Sequence, residues 1–293
     1  MKSFGRILTA MVTPFHDDLS VNYDAAADLA KYLVANGSNG LVVTGSTGEA
    51  ATLNDDEKLK LYSTVLDAVG DKATVIAGTG SNDTRASIKL TEAAEKIGVH
   101  GAMLVGPYYN KPPQEGFFQH FKAISQITDL PLIIYNVPGR TASNILPSTV
   151  ARLAEIKNIV AIKEASGNLE QVSEIIRTTP KDFLVYSGDD SLTLPILAVG
   201  GVGIISVSAH IVGNRMQEMI AAFAEKDFVK AQTIQSELLP FFRMMFITTN
   251  PIPVKTAVNL LGLNAGSFRL PLIPPTAIEL EQVKTMMQKM NMI

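Results

Sequence analysis

Lys163 is the residue in this sequence best placed for covalent chemistry. It follows four apolar residues, Ile159 to Ile162, in the stretch "NIVAIKEASGN". An unbroken apolar run reads as a strand covered on both faces, so the amine stands where a buried strand ends. A lysine in that position commonly carries its charge to water along an apolar stem. Walled in by apolar neighbours, the same amine loses part of its charge to desolvation and becomes a nucleophile toward a carbonyl carbon. That is Schiff-base chemistry, and it needs a proton shuttle, because carbinolamine formation and dehydration each move protons. Tyr135, at the end of "LPLIIYN", is the candidate general acid and base, against the plainer role of a ring packed at a strand end. "GSTGE" offers the hydroxyls of Ser46 and Thr47 with backbone N–H groups in a turn bracketed by glycines, a nest suited to a carboxylate. Gly, Ser and Thr also favour ordinary strand-to-helix turns. Arg140, in "YNVPGR", can hold a second carboxylate through two parallel hydrogen bonds or sit in a surface ion pair.

Other chemistries find less support. The four histidines, His16, His100, His120 and His210, lack zinc-ligand spacing, and "SGDD" has no evident partner set, so no metal site is expected. There is no G-x-S-x-G elbow. The absence of cysteine removes thiol nucleophiles, disulfides and thiolate metal sites, and suits a reducing cytoplasm. A lysine mechanism requires no cofactor. A formal net charge of −3 without a Lys/Arg cluster argues against nucleic acid as a partner. The stretch "MKSFGRILTAMVTPF" has a short apolar run broken by Pro14, with no cleavage pattern, and no segment approaches the ~18 apolar residues of a membrane span. The expectation is a cytoplasmic protein.

The elements that must position these groups alternate in type. Short apolar runs ("ILTAMVTPF", "GLVVTG", "TVIAGTG", "GAMLVG", "LPLIIYN", "NIVAIK", "FLVYSG", "GIISVS") are separated by amphipathic stretches at 23–35, 55–69, 84–97, 116–127, 148–156, 169–178 and 192–199. Eight strand-helix units at about 25 to 30 residues each predict an α/β fold of the (β/α)8 TIM-barrel type. The competing open sheet lacks a G-x-G-x-x-G turn after its first strand, where "TPFHDD" stands. Helical patterning continues past the eighth strand, giving a catalytic barrel over 1–225 and a small C-terminal helical domain over 226–293. The methionines of that extension read as gap-filling core. In such a barrel, function sits at the C-terminal ends of the strands. The second strand ends in "TGSTGEAATL", the fourth in "GPYYNKPPQEG", the fifth in "YNVPGR" and the sixth in Lys163, so one mouth should collect the chemistry.

Taken in order, "GSTGEAATL", "AGTGSNDT", "PYYNKPPQEG", "YNVPGRT", "IVAIKEASGN", "YSGDD", "GIISV" and "NPIPVK" resemble the dihydrodipicolinate synthases over essentially the whole chain. N-acetylneuraminate lyase, a sister in the pyruvate-dependent class I aldolases, shares the barrel, the G-[ST]-T-G-E turn and the lysine. Arg140 and the double tyrosine before "NKPPQEG" favour the synthases. The resemblance implies condensation of pyruvate with L-aspartate 4-semialdehyde to 4-hydroxy-tetrahydrodipicolinate, the entry to lysine and diaminopimelate synthesis. Lys163 would form the Schiff base; Tyr135, Thr47 and Tyr109 would relay protons. Ser46 and Thr47 would hold the pyruvate carboxylate, Arg140 that of the semialdehyde, and the carbonyl of Ile205 would lie near the lysine. Tyr109 would come from a neighbouring subunit, implying a homodimer at least and a tetramer, a dimer of dimers, in most relatives.

Two positions depart from the family. Ser46 replaces the usual threonine and keeps the hydroxyl. Relatives inhibited by lysine bind it through polar groups, and the matching positions here are Ala50, Asp55, Lys58, Asn82 and Ala86. Only the asparagine, with Tyr108 nearby, is kept, so feedback inhibition is expected to be weak or absent. A different class I aldolase and a non-catalytic barrel that senses a small acid are the competing readings.

Overall fold

The computed structural model describes residues 4–293. Eight strands, β1 Ile7–Ala10, β2 Gly40–Val43, β3 Thr74–Gly78, β4 Gly101–Val105, β5 Leu132–Asn136, β6 Ile159–Glu164, β7 Leu184–Ser187 and β8 Gly203–Ser206, pair in parallel and in sequence order to close a barrel. Around it lie α1 Tyr23–Ala35, α2 Asp55–Val69, α3 Thr84–Ile97, α4 Gln114–Ser125, α5 Pro138–Thr141, α6 Pro147–Ala154, α7 Leu169–Thr178, α8 Thr193–Ala198 and α9 Ala209–Ala224. Three more helices follow, α10 Phe228–Met244, α11 Ile252–Leu260 and α12 Ala277–Lys289. The expected barrel is therefore present.

Strand alternation divides the core in two. Side chains such as Leu8, Val42, Ile76, Met103, Ile133, Tyr135, Tyr186 and Ile205 fill the barrel interior. Leu41, Val75, Leu104, Ile134, Ile162 and Ile204 belong to the larger core shared with the helices. Local chemistry starts the helices where the sequence suggests. Asn54 forms a capping box with Glu57 at α2, and Asn22, Asp83 and Thr276 accept N-terminal N–H groups of α1, α3 and α12.

Several boundaries differ from the sequence reading. β1 stops at Ala10 rather than Phe15, because the chain turns off the sheet before Pro14 and Phe15 donates its N–H to Ala265 in the C-terminal segment. α4 and α6 begin earlier, at Gln114 and at Pro147, a helix-compatible N1 proline. Lys163 lies inside β6 and not beyond it. One register shift sets its direction. Leu132 pairs with Ile159 but Ile133 pairs with Ala161, so Val160 is an extra residue in β6. Without it Lys163 would stand opposite Asn136 on the outer face. The bulge instead sets it opposite Tyr135 and Tyr186, both interior.

The segments after α10 close over the "GSTGE" turn. Lys255 of α11 pairs with Glu49 at 2.8 Å, both side chains fully buried. The ammonium lies 4.1 Å from the Phe15 ring centroid and 5.1 Å from that of Phe268. Arg269 reaches across to Glu57, Thr52 and Leu19, and its backbone N–H faces Glu49. Removing one member of a buried ion pair strands the other charge. Lys255→Met should therefore lower unfolding free energy by about 3–5 kcal/mol, while Glu49→Gln with Lys255→Met recovers much of the loss. Urea denaturation of both variants measures this, and equal losses would show that the stranded carboxylate is not what costs.

Candidate active site

The site grows from the strand ends. β2 runs into Thr44, which holds a left-handed backbone, φ 54°, a strained state for a β-branched residue. Its hydroxyl is pinned at 2.8 Å to the Tyr62 hydroxyl, and Tyr62 donates to the Gly78 carbonyl. The chain then folds back on itself. N–H groups of Gly48 and Ala50 donate to the Gly45 carbonyl, that of Glu49 to Ser46, and Thr13 donates its hydroxyl to Gly48. Ser46 and Thr47 are left at the tip. Ser46 is exposed to the mouth, and Thr47 is buried with Oγ1 accepting from Asn250.

Lys163 is 4% exposed, and its Nζ lies 4.3 Å from the centroid of the Tyr135 ring. Space for its stem depends on Gly188, where a Cβ would come within 3.1 Å of Lys163 Cε and 2.7 Å of Ala165 Cβ. Burial pulls the lysine pKa down to about 8; the Asp190 carboxylate pushes it back up and the Arg140 guanidinium adds to the lowering. Asp190 is itself buried and accepts from Ser206 Oγ and the Ser208 N–H. Burial raises the Tyr135 phenol pKa, opposed by Arg140 and by a hydrogen bond with Ser46. Arg140 ends the short α5 and donates to the Asn250 carbonyl at 3.1 Å, not to a surface acid. Behind the site, Asn136 and Glu164, outward-facing neighbours of Tyr135 and Lys163, bond at 2.9 Å and lock the two strand tips together.

A cavity of about 350 Å³ opens onto this mouth, lined by Ser46, Tyr135 and Arg140 and also by Ala50, Lys58 and Tyr108. Of the residues singled out from sequence, Ser46, Thr47, Tyr135, Arg140 and Lys163 come together here, and Ile205 lies in the barrel interior with Tyr135. Tyr109 does not. It is 90% exposed with a left-handed backbone, φ 72°, and points away from this chain's core. Asn250, Gly188, Asp190, Glu49 and Lys255 were not singled out. The "NP" turn at Asn250 and the glutamate closing "GSTGE" carried the available signal, but their partners are some two hundred residues distant.

The histidines do not compete for the chemistry. His210 spends both ring nitrogens on backbone groups of Val12 and Val207, and burial lowers the His120 and His210 pKa values to about 4. Among the described residues no group of three or more His, Asp or Glu side chains is placed to hold a metal ion, and no helix is long and apolar enough to cross a membrane.

Only the neutral amine attacks a carbonyl. With a lysine pKa near 8, formation of a borohydride-trapped adduct with pyruvate should rise about tenfold per pH unit up to about pH 8 and then level. An ordinary lysine would keep rising to about pH 10.4. Mass spectrometry across the pH series reads the profile, and Lys163→Ala should give no adduct.

The dihydrodipicolinate synthetase family model matches residues 3–290. The chain is 57% identical to the 4-hydroxy-tetrahydrodipicolinate synthase of Desulforamulus reducens, covering 99% of this chain and 98% of that one. Its structure superposes on a dihydrodipicolinate synthase from Bacillus anthracis with a TM-score of 0.97, at 51% identity and covering 98% and 99% of the two chains. The dihydrodipicolinate synthase of Cyanidioschyzon merolae with lysine bound gives a TM-score of 0.97 at 45% identity, with 99% of each chain covered. Fold and sequence agree along nearly the whole length, and the chain belongs to the dihydrodipicolinate synthetase family.

Proposed function

We propose that the chain is a lyase that condenses pyruvate with L-aspartate 4-semialdehyde to give 4-hydroxy-tetrahydrodipicolinate. The observation that carries this reading is a desolvated lysine against a buried tyrosine at a mouth that also presents a guanidinium. In this reading the Lys163 amine attacks the ketone carbon of pyruvate, and the carbinolamine loses water to form an imine. Loss of a methyl proton gives the enamine, whose carbon attacks the aldehyde; the aldehyde oxygen takes up a proton and becomes the hydroxyl. The amine of the new adduct then displaces Lys163 by transimination, closing the ring and freeing the enzyme.

Tyr135, Thr47 and Tyr109 carry the protons. The Ser46 hydroxyl and the N–H groups at the tip of the turn hold the pyruvate carboxylate, with the carbonyl of Ile205 beside the lysine. Arg140 takes the carboxylate of the semialdehyde, an acceptor preference that the alternative of N-acetylneuraminate lyase does not explain. No cofactor or metal enters this scheme. We assign residues 1–225 to the catalytic barrel and 226–293 to a helical domain that braces it, and we place the enzyme in the cytoplasm.

The exposed Tyr109 supports a homodimer in which each subunit completes the other's site, with a tetramer built from two such dimers. Mixing Lys163→Ala with Tyr109→Phe, each nearly inactive alone, should restore turnover, because every mixed dimer holds one intact site. A mixture no more active than its parts after subunit exchange would show that Tyr109 does not complete the partner's site.

The cavity also takes in Ala50, Asp55, Lys58 and Ala86, positions that the family resemblance assigns to lysine binding, and we read it as poorly suited to a cationic amino acid here. Lys58 lines it, 3.9 Å from the Asp55 carboxylate, and the Asn82 amide is committed to the Tyr108 carbonyl. An added cation meets like charge without a free carboxylate. Turnover of pyruvate with aspartate semialdehyde should therefore proceed undiminished in millimolar lysine. Half-maximal inhibition below that range would contradict the assignment of this pocket.

A further inference from the structure

The loop between α10 and α11 brings one side chain from the far end of the chain into the site. Asn250 is 5% exposed, and its Nδ2 donates to Thr47 Oγ1 at 3.0 Å. Its backbone carbonyl accepts from Arg140 at 3.1 Å. Its Oδ1 is buried and has no hydrogen-bond partner among the described residues.

These contacts fix a direction. A threonine hydroxyl has one proton to give and two lone pairs to offer. With one lone pair taken by Asn250, the Thr47 O–H remains available to the reaction. The reversed amide would absorb that proton into Oδ1 and leave two buried N–H groups unpaired, where the observed orientation leaves one N–H and the oxygen. The same residue therefore holds the hydroxyl by its side chain and the guanidinium by its backbone.

We infer that Asn250 is a positioning residue that keeps Thr47 a hydrogen-bond donor toward the reacting centre. This rests on the reading of Thr47 as part of the proton relay. The contact with Arg140 uses the backbone and survives side-chain substitution, so the two roles separate experimentally.

Asn250→Asp is nearly isosteric and reverses the polarity, since a carboxylate accepts the Thr47 proton. It should lower kcat and the rate of pyruvate trapping by borohydride about 10²-fold, the lower range of a general acid–base contribution, with KM for pyruvate changed only a few-fold. In a Thr47→Val background the same substitution should have almost no effect. Because a new buried carboxylate can impair folding, Asn250→Ala serves as the second variant. It should cost about tenfold in both rates and likewise nothing in the Thr47→Val background, with thermal unfolding confirming a folded protein. Equal losses in both backgrounds, a loss confined to KM, or wild-type rates in both Asn250 variants would overturn the inference. Trapping needs pyruvate alone. Wild-type protein that traps pyruvate but does not turn over aspartate semialdehyde refutes the acceptor assignment while the Thr47 cycle still decides this one. Wild-type protein that never traps pyruvate refutes both.

Discussion

In the proposed mechanism, the chemistry of this barrel depends on keeping one amine out of water. An ammonium moved into an apolar interior loses hydration that nearby groups only partly replace, and its neutral form gains by comparison. Lys163 is placed so that this loss dominates. The Tyr135 ring faces the nitrogen, Tyr186 stands beside it on the next strand, and the Asp190 carboxylate, held by Ser206 and the Ser208 N–H, offsets the effect of burial only in part. The balance is partial, and that suits the task. Full neutralisation would come with deeper burial and less room for a substrate, whereas a pKa near 8 leaves a useful neutral fraction close to neutral pH.

Much of this was legible in the sequence, for a physical reason. A strand buried on both faces must be apolar throughout, so the polar residue ending such a run is conspicuous, and Lys163 and Tyr135 both appear that way. Register was not legible. Which face a strand residue takes depends on its partner strand, and "NIVAIKE" reads the same with or without a bulge. The extra residue at Val160 turns the lysine inward, and no local propensity announces it. Boundaries failed for a related reason. The run 7–15 is apolar enough for a long strand, but its second half packs against Ala265 and Val21 instead of a neighbouring strand.

The turn after β2 shows the same limit more sharply. "GSTGE" is recognisable as a nest, but what holds it lies at the other end of the chain. Glu49 is buried against Lys255, Thr47 against Asn250, and Arg269 spans Glu57 and Thr52. Each contact closes a loop of about two hundred residues, whose entropic cost grows only slowly with length. Such contacts leave little trace in sequence, because an asparagine before a proline or a lysine in an apolar helix has many uses. The helices after the barrel look like an appendage in a linear reading; in space α11 and the loop before it brace the turn after β2.

This arrangement ties catalysis to complete folding. A strained turn, with Thr44 and Glu49 both in the left-handed region, persists only where the surrounding structure over-determines it. Here the determinants come from the segment after β1, from β3 and from the C-terminal segment together: Thr13 on Gly48, Gly78 on Thr44, Lys255 on Glu49. A barrel lacking its last helices would retain the lysine strand but lose the clamp on the turn, and with it the fixed direction of the Thr47 hydroxyl. The amine and the proposed carboxylate site are therefore set by different means. Lys163 is governed by desolvation inside the barrel, whereas Thr47 and Arg140 are held by hydrogen bonds to Asn250, outside it.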